Sequence, residues 1–271
     1  ETEEDMRATF DVSIRNRMQQ ESFNLVSAYP GTSIYAKAKK RGQVKDELAY
    51  IKAVMSGRYW RTYNVAEFPY MNISGIPDER LLEVVIYETR RYYTHLFNTF
   101  QAQGQQIDYI VSEPSGTAEL QTTLKLTGTC IDCGNAIKRE ASGAWQDGIA
   151  ELTAICNKCF TRNFFNITKL PEYSEHFDAV RERLQKAERV VLVGLSKIAE
   201  DLLLYDVFGL NLRNVLALID ERSLDDEMWG IEEHSDAEEK KFYHVPRYHR
   251  EDIANLDFDT AIAGNFVPEI L

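Results

Sequence analysis

Four cysteines form the most informative chemical pattern in this 271-residue chain. They occur as two Cys-x-x-Cys pairs, Cys130 with Cys133 and Cys156 with Cys159, and 22 residues separate the pairs. Two residues between thiolates let one tight turn direct both sulfurs at the same ion, and two such turns complete a tetrahedral site. Four thiolates leave no open position for water or substrate, so the spacing predicts a structural zinc rather than a catalytic one.

Two other uses of these cysteines stay open. Four thiolates can also hold an auxiliary iron–sulfur cluster. Each pair could instead be a redox dithiol, although neither pair opens a helix after a strand, as that chemistry prefers. The surrounding segment, 106–168, reads as short strands punctuated by glycines. It is therefore predicted to be a small β zinc ribbon whose folding depends on the metal.

A glycine turn in the last third of the chain is the second candidate site. Gly194 follows an apolar strand, and Ser196 and Ala199 stand where a dinucleotide fingerprint carries its other glycines. Asp220 follows the next strand, in the position of the acidic residue that binds a ribose hydroxyl. The amides after Gly194 could meet a phosphate at the helix N-terminus. Gly194, Ser196 and Asp220 are thus predicted to bind a nucleotide. The alternative is that the turn has only a structural role and binds no ligand.

The elements around that turn alternate between strand and helix. Apolar runs and breakers between 169 and 271 predict four strands, at 189–193, 215–219, 242–245 and 260–263, and a helix at 197–208. This alternation is typical of a doubly wound parallel sheet, so the last segment is predicted to be a Rossmann-like domain.

Residues 1–61 read as helix, strand and helix, the order of a parallel α/β sheet. Phe10, Ile14 and Met18 recur at helical spacing, an apolar strand is predicted at 23–28, and a basic helix at 33–41 ends before Gly42. After Pro77 a long helix carries an apolar stripe, which consists of Leu82, Ile86, Tyr93, Leu96 and Phe100. We therefore predict an α/β segment at 1–61 and a helical tail at 62–105.

Motifs in this first region resemble the closing part of a radical S-adenosylmethionine enzyme barrel of the cobalamin-binding branch. The opening Glu1-Thr2-Glu3-Glu4-Asp5 looks like the end of that family's Gly-x-Pro-x-Glu-Thr loop, and Tyr29-Pro30-Gly31-Thr32 looks like its late Pro-Gly-Thr turn. The helix after Pro77 is similar to the helical tail behind such barrels. The resemblance covers about 1–103. Independently, 188–264 resembles the Rossmann-type domain of sugar-modifying acyltransferases and related sensory modules.

The resemblance implies a parent enzyme with a 4Fe–4S cluster, S-adenosylmethionine and, in this branch, cobalamin. Neither the family's Cys-x-x-x-Cys-x-x-Cys motif nor an Asp-x-His-x-x-Gly cobalamin motif occurs here. The chain is thus expected to be the C-terminal part of a longer protein, inactive alone, and no catalytic residue is assigned. Its ribbon and Rossmann-like modules would recognise a small-molecule or nucleotide-linked substrate, or dock against upstream barrel residues. The alternative is a non-catalytic zinc protein that senses a nucleotide or nucleotide-sugar, or docks a partner.

Composition excludes some classes of partner. The formal net charge of −12 argues against general affinity for nucleic acid or anionic lipid. No run of about 18 apolar residues predicts a membrane span, and the acidic start lacks the apolar core of a secretory signal. Cysteines confined to one short window suit a metal site in a reducing compartment, so a cytoplasmic location is predicted.

Overall fold

The computed structural model shows a mixed α/β protein with small sheets. It describes residues 2–19, 23, 28–55, 72, 74–112, 121–142, 152–169, 171–193, 197–219, 241–242, 245–248 and 250–263. The chain divides into two compact units, Glu1–Thr89 with Ser235–Pro246, and Arg90–His234 with Arg247–Leu271. Within the described ranges, no helix is both long and apolar enough to cross a membrane.

The described helices and strands have the following bounds. The helices are α1 (Glu3–Arg15), α2 (Ser33–Lys40), α3 (Glu47–Met55), α4 (Asp78–Thr99), α5 (Pro171–Lys186) and α6 (Lys197–Leu204). The strands are β1 (Gln103–Ser112), β2 (Gln121–Thr129), β3 (Ala136–Ser142), β4 (Thr153–Ile155), β5 (Arg162–Phe164), β6 (Val190–Val193), β7 (Val215–Ile219), β8 (Lys241–Phe242), β9 (Val245–Tyr248) and β10 (Thr260–Ala263).

Helix α1 of the first unit begins with a complete capping box. The Thr2 hydroxyl accepts from the Asp5 amide at 3.2 Å, and the Asp5 carboxylate accepts from the Thr2 amide at 2.8 Å. These reciprocal bonds satisfy amides that a helix start leaves unpaired. Met6 on α1 packs into a cluster with Val84 and Val85 of α4. The acidic opening of the chain therefore serves as a helix start.

Helix α2 begins and ends where the sequence predicts. The Thr32 hydroxyl accepts from the amide of Tyr35 at 3.2 Å, and Gly42 has a positive φ of 72° just beyond the helix. Of the strand predicted at 23–28, only Phe23 and Ala28 are among the described residues. Helix α3 was not expected; the Asp46 carboxylate caps it by accepting from the amide of Ala49 at 3.0 Å.

The long helix α4 confirms the predicted apolar stripe in part. Ile86, Leu96 and Phe100 are buried and Tyr93 is half-buried, while the side chain of Leu82 is not described. The 22-residue helix packs against several neighbours, so its buried face is wider than the predicted stripe and includes further aromatic residues. Tyr92 and Phe97 are among these buried residues.

Two small antiparallel sheets follow α4 in the second unit. One has the order β1-β2-β3, with Leu126 of β2 opposite Ile107 of β1 and Arg139 of β3. The other is the hairpin β4-β5, in which three residue pairs face one another. Strand β4 begins at Thr153, and residues 149–151 before it lie outside the described part of the chain.

The last sheet is mainly parallel. Its strands have the order β10-β6-β7-β9, all parallel, and β8 pairs antiparallel with β9. Helix α6 ends at Leu204, earlier than the predicted 208, and the predicted strand at 242–245 is two strands instead. Gly209, five residues beyond the end of α6, has a positive φ of 73°.

Candidate metal centre

Each cysteine pair lies in the turn of a β-hairpin. Cys130 and Cys133 occupy the turn between β2 and β3, and Cys156 and Cys159 occupy the turn between β4 and β5. Cys130 and Cys156 are buried, whereas Cys133 and Cys159 are more exposed. The hairpins therefore present each pair with one sulfur-bearing residue inward and one nearer the solvent.

The first turn, from Cys130 to Asn135, is closed by backbone hydrogen bonds. The amide of Cys130 donates to the carbonyl of Asn135 at 2.8 Å, and the amide of Gly134 donates back to the carbonyl of Cys130 at 3.0 Å. This path needs a left-handed residue directly after Cys133, and Gly134 supplies it with a φ of 69°. The glycine after the second cysteine thus has a specific conformational role.

The second turn, from Cys156 to Thr161, repeats the same bonds. The amide of Cys156 donates to the carbonyl of Thr161 at 2.9 Å, and the amide of Phe160 donates to the carbonyl of Cys156 at 2.9 Å. Here the left-handed residue is Phe160, with a φ of 63°, and its side chain is exposed. The two turns therefore share one geometry, although only the first has glycine at the strained position.

The four sulfurs converge on one point. All four lie within 4.8 Å of one another, with 3.5 Å between the sulfurs of Cys130 and Cys159 and 3.6 Å between those of Cys133 and Cys156. A tetrahedron with metal–sulfur bonds of about 2.3 Å has edges of about 3.8 Å. The four side chains can therefore bind a single metal ion.

Backbone amides compensate the charge of some of these sulfurs. The amides of Cys159 and Lys158 face the sulfur of Cys156 and lower the pKa of that thiol. The amide of Asn135 acts on Cys133 in the same direction, but the neighbouring sulfurs, that of Cys159 foremost, and burial outweigh it and raise the pKa of Cys133. Four thiolates this close repel one another, so a bound cation would favour the state in which all are ionised.

Asn163 joins the two turns beneath the sulfurs. Its side-chain oxygen accepts from the amide of Ile131 at 2.9 Å, and its nitrogen donates to the carbonyl of Thr161 at 2.8 Å. The same nitrogen lies 3.6 Å from the sulfur of Cys130. Because Asn163 is fully buried, these bonds hold the first turn to the second in one arrangement. No spacing in the sequence points to this residue.

Two further hydrogen bonds cross between the turns. The side-chain nitrogen Nδ2 of Asn135 donates to the side-chain oxygen of Asn157 at 2.9 Å, and the Thr161 hydroxyl donates to the carboxylate of Asp132 at 2.7 Å. Asn135 and Thr161 both stand two residues after the second cysteine of their pair. This repeated polar position is a signal in the sequence that could have identified both residues.

The second hairpin is also anchored to the end of α4. The amide of Phe164 donates to the carbonyl of Phe100 at 2.8 Å, and the amide of Ala102 donates to the carbonyl of Phe164 at 2.9 Å. The ring of Phe164 is fully buried and meets that of Phe97 edge-on, with 5.8 Å between centroids. The cysteine turns are thus supported by a packed aromatic base.

No family model, curated protein or solved structure matches this chain. The assignment of the metal centre therefore rests on the positions of its four sulfurs alone.

The predicted nucleotide residues Gly194, Ser196 and Asp220 lie outside the described residues. The structure places elements on both sides of them: β6 ends at Val193, α6 begins at Lys197, and β7 ends at Ile219. The carboxyl ends of β6 and β10 are adjacent, since Val193 faces Ala263 in parallel register. Gly194 and Asp220 therefore each follow, by one residue, the carboxyl end of a strand of the parallel sheet.

We predict opposite effects for exchanges at the two left-handed positions. Gly134→Ala should destabilise the metal-loaded chain by about 1–2 kcal/mol, because a left-handed backbone disfavours a Cβ, although nothing lies within 4 Å of that atom. Phe160→Gly should instead raise stability by up to about 1 kcal/mol, since relief of strain exceeds the entropy cost of glycine. Urea unfolding of the two variants measures both changes. Equal destabilisation by both would show that the Phe160 ring makes stabilising contacts.

Proposed function

We propose that 106–168 is a zinc ribbon in which Cys130, Cys133, Cys156 and Cys159 hold one structural zinc ion. The convergence of four sulfurs within 4.8 Å is the observation that carries the proposal. Zinc bound by four thiolates keeps no free position, so the site organises the two hairpins rather than reacting with a substrate. The ribbon's role is then to present a recognition surface.

The sulfur geometry also bears on the two alternatives. An iron–sulfur cluster places several metal ions and inorganic sulfides between its ligands, which spreads the cysteine sulfurs further apart than a single ion does. Two independent dithiols would not require the two pairs to lie together, whereas here sulfurs of different pairs, Cys130 with Cys159 and Cys133 with Cys156, lie 3.5 and 3.6 Å apart. Both comparisons favour a single ion.

Metal analysis tests this proposal directly. Protein purified without added metal should contain close to one zinc per chain by elemental analysis, and four thiols should become reactive after chelation. If the purified protein instead contains iron and shows visible charge-transfer absorption, the centre is an iron centre and the assignment of zinc is wrong. A chain that contains no metal and binds none when zinc is added would refute the metal function altogether.

At the level of the whole protein, we propose that this chain is the C-terminal recognition part of a radical S-adenosylmethionine enzyme. The Pro-Gly-Thr turn and the helix after Pro77 support this assignment, and the chain itself lacks the cluster-binding cysteines. The zinc ribbon and a Rossmann-like domain would then bind substrate or a partner for chemistry performed upstream. Sequencing the reading frame before Glu1 is the test, since the family's cysteine motif must occur there. Its absence would favour a non-catalytic zinc-binding sensor or docking protein.

A nucleotide site in the last sheet is the second function that we propose. In the order β10-β6-β7-β9 the chain runs outward from β6 to β7 and β9, then returns to place β10 on the other side of β6. Such a reversal is a topological switch point, and open parallel α/β sheets bind ligands beside it, outside the carboxyl ends of the strands. Gly194 follows β6 at this edge, which supports a Rossmann-like site for a nucleotide or nucleotide-linked substrate.

Titration calorimetry with NAD, NADP, a nucleotide-sugar and coenzyme A tests the nucleotide site. We expect NAD to bind more tightly than NADP, because the Asp220 carboxylate would accept from a ribose hydroxyl and repel a 2′-phosphate. Gly194→Val should abolish binding by blocking the approach of a phosphate, and Asp220→Ala should weaken it without unfolding the domain. If none of the four ligands produces heat at millimolar concentration, the nucleotide proposal is wrong and the sheet has only a structural role.

A further inference from the structure

The four cysteines differ in their access to solvent. Cys130 and Cys156 are 1% and 0% exposed, Cys133 is intermediate, and Cys159 is the exposed member of the set. Reagents in solution therefore reach the residue at the end of the second turn before they reach the others. This inference rests on the metal function proposed above, because an accessible ligand is a point at which the centre can be opened.

The turn that carries Cys159 is also the less firmly held of the two. The first turn joins strands of nine and seven residues with seven facing pairs, whereas the second joins strands of three residues with three facing pairs. Phe160, next to Cys159, holds a φ of 63° that Gly134 adopts without strain in the first turn, and its side chain is 76% exposed. A local opening at Cys159 and Phe160 relieves that strain, and the Phe160 ring loses little packing because it is already in solvent.

The thiol of Cys130 lies next to that of Cys159. The sulfur of Cys130 is 3.5 Å away, and it belongs to the opposite turn rather than to the same Cys-x-x-Cys pair. The backbone of Cys130 is held within the first turn by hydrogen bonds with Asn135 and Gly134, so it stays in place when the second turn moves. A group attached to the Cys159 sulfur therefore remains within reach of a fixed and buried thiolate.

We propose that Cys159 is a site of S-thiolation by low-molecular-weight disulfides, and that Cys130 resolves the adduct and thereby releases the metal. The Cys159 thiolate attacks one sulfur of a disulfide such as oxidised glutathione; that S–S bond breaks and one glutathione leaves as a thiolate. The Cys130 thiolate then attacks the Cys159 sulfur, and the second glutathione leaves as a thiolate. Two cysteine thiolates are oxidised by two electrons, one disulfide is reduced to two thiolates, and no proton is consumed.

The product differs from that of ordinary dithiol chemistry. The Cys130–Cys159 disulfide ties the two turns together after the ion has lost two of its four ligands. Cys133 and Cys156 remain as thiols 3.6 Å apart, so the centre can be restored by a reducing thiol and a new ion. Occupancy of the metal centre would thus depend on the concentration of low-molecular-weight disulfides around the protein. A recognition surface that the metal holds in place would be lost under oxidising conditions.

The natural chain, loaded with zinc, allows a first test without any substitution. With iodoacetamide below one equivalent, peptide mapping should find Cys159 alkylated at least fivefold more than any other cysteine. With excess oxidised glutathione, a chelating dye should record release of one zinc per chain, and mapping should find the Cys130–Cys159 disulfide. Preferential alkylation of Cys133, or disulfides within the pairs Cys130–Cys133 and Cys156–Cys159, would overturn the proposal.

Variants separate the two steps. In Cys130→Ser the glutathione adduct should accumulate on Cys159, and in Cys159→Ser adduct formation should fall at least tenfold. If either variant fails to bind zinc, Phe160→Gly provides the decisive measurement, because it keeps all four ligands. It should slow zinc release by oxidised glutathione about fivefold, since opening no longer relieves strain, while Lys158→Ala in the same turn should not. An unchanged rate in Phe160→Gly would contradict opening through the second turn.

These outcomes are distinct from failure of the metal function. If the purified chain binds no zinc, the metal function fails, yet the order of alkylation still tests whether Cys159 is the reactive thiol. If the chain binds zinc firmly and no disulfide forms at any concentration of oxidised glutathione, the metal function stands and the S-thiolation proposal is wrong.

Discussion

Replacing Cys133 with serine is expected to unfold the β4-β5 hairpin while the parallel sheet of β6, β7, β9 and β10 keeps its structure. Binding of structural zinc by four cysteines contributes about 10–16 kcal/mol to the folding of small zinc modules. The β4-β5 hairpin has only three residue pairs of its own, and isolated two-stranded hairpins are marginal in water. Loss of one thiolate thus removes most of what keeps the second hairpin in place.

Hydrogen exchange read by mass spectrometry measures this effect along the chain. In Cys133→Ser, amides between Thr153 and Phe164 should exchange at least a hundredfold faster, and those of β6 and β7 should keep their protection. Lys158→Ala is the matched control, because Lys158 is exposed in the second turn and its side chain is not a ligand. Unchanged exchange in Cys133→Ser would mean that the hairpins fold without the metal.

Replacing Arg90 with methionine is expected to destabilise the second unit by about 3–5 kcal/mol. The guanidinium is buried, with 8% of the side chain exposed, and donates to the carbonyls of Leu202, Leu203 and Leu210 at 2.8, 3.1 and 2.7 Å. It also donates to the carboxylate of Asp206 at 3.0 Å. Methionine fills much of the same volume but donates no hydrogen bond, so the carbonyls at the end of α6 lose their partner.

Guanidinium chloride unfolding of the full chain measures the loss. Arg91→Met is the matched control, since Arg91 is the next residue on α4 and is exposed; we expect a change of less than about 1 kcal/mol there. Equal effects of the two substitutions would contradict a specific role for Arg90. A Lys substitution at position 90 should recover only part of the stability, because one ammonium cannot reproduce the planar fork that reaches both α6 and Asp206.

Local patterns in the sequence predicted many of the elements. Helical spacing predicted α1 in part, since Phe10 is buried on it but Met18 lies exposed beyond its last residue, Arg15. The basic run after Thr32 predicted α2, and apolar runs predicted β6, β7 and β10. Strands β1 and β3 fall in the segment predicted to form short strands, but the sequence did not predict their bounds. Gln103-Gly104-Gln105-Gln106 opens β1 without an apolar residue, and four charged or polar residues outnumber the apolar ones of β3. Both strands form through pairing with β2, and this pairing cannot be read from the local composition of either strand.

The candidate metal ligands were determined by the sequence alone. Two Cys-x-x-Cys pairs identify four thiolates and their turns, because the spacing of ligands on a short turn is a local property of the chain. Gly134 could be recognised for the same reason. The radical S-adenosylmethionine resemblance, zinc as the ion, the nucleotide site and the cytoplasmic location remain predictions.

Only the tertiary structure decided how these local features act together. It brought the sulfurs of Cys130 and Cys159 to 3.5 Å, although 28 residues separate them in the chain, and placed Asn163 beneath both turns. It also placed β10 beside β6, which creates the switch point at the carboxyl ends of the sheet. Such contacts depend on packing between distant segments, and a residue such as Asn163 or Arg90 acquires its role only when those segments meet.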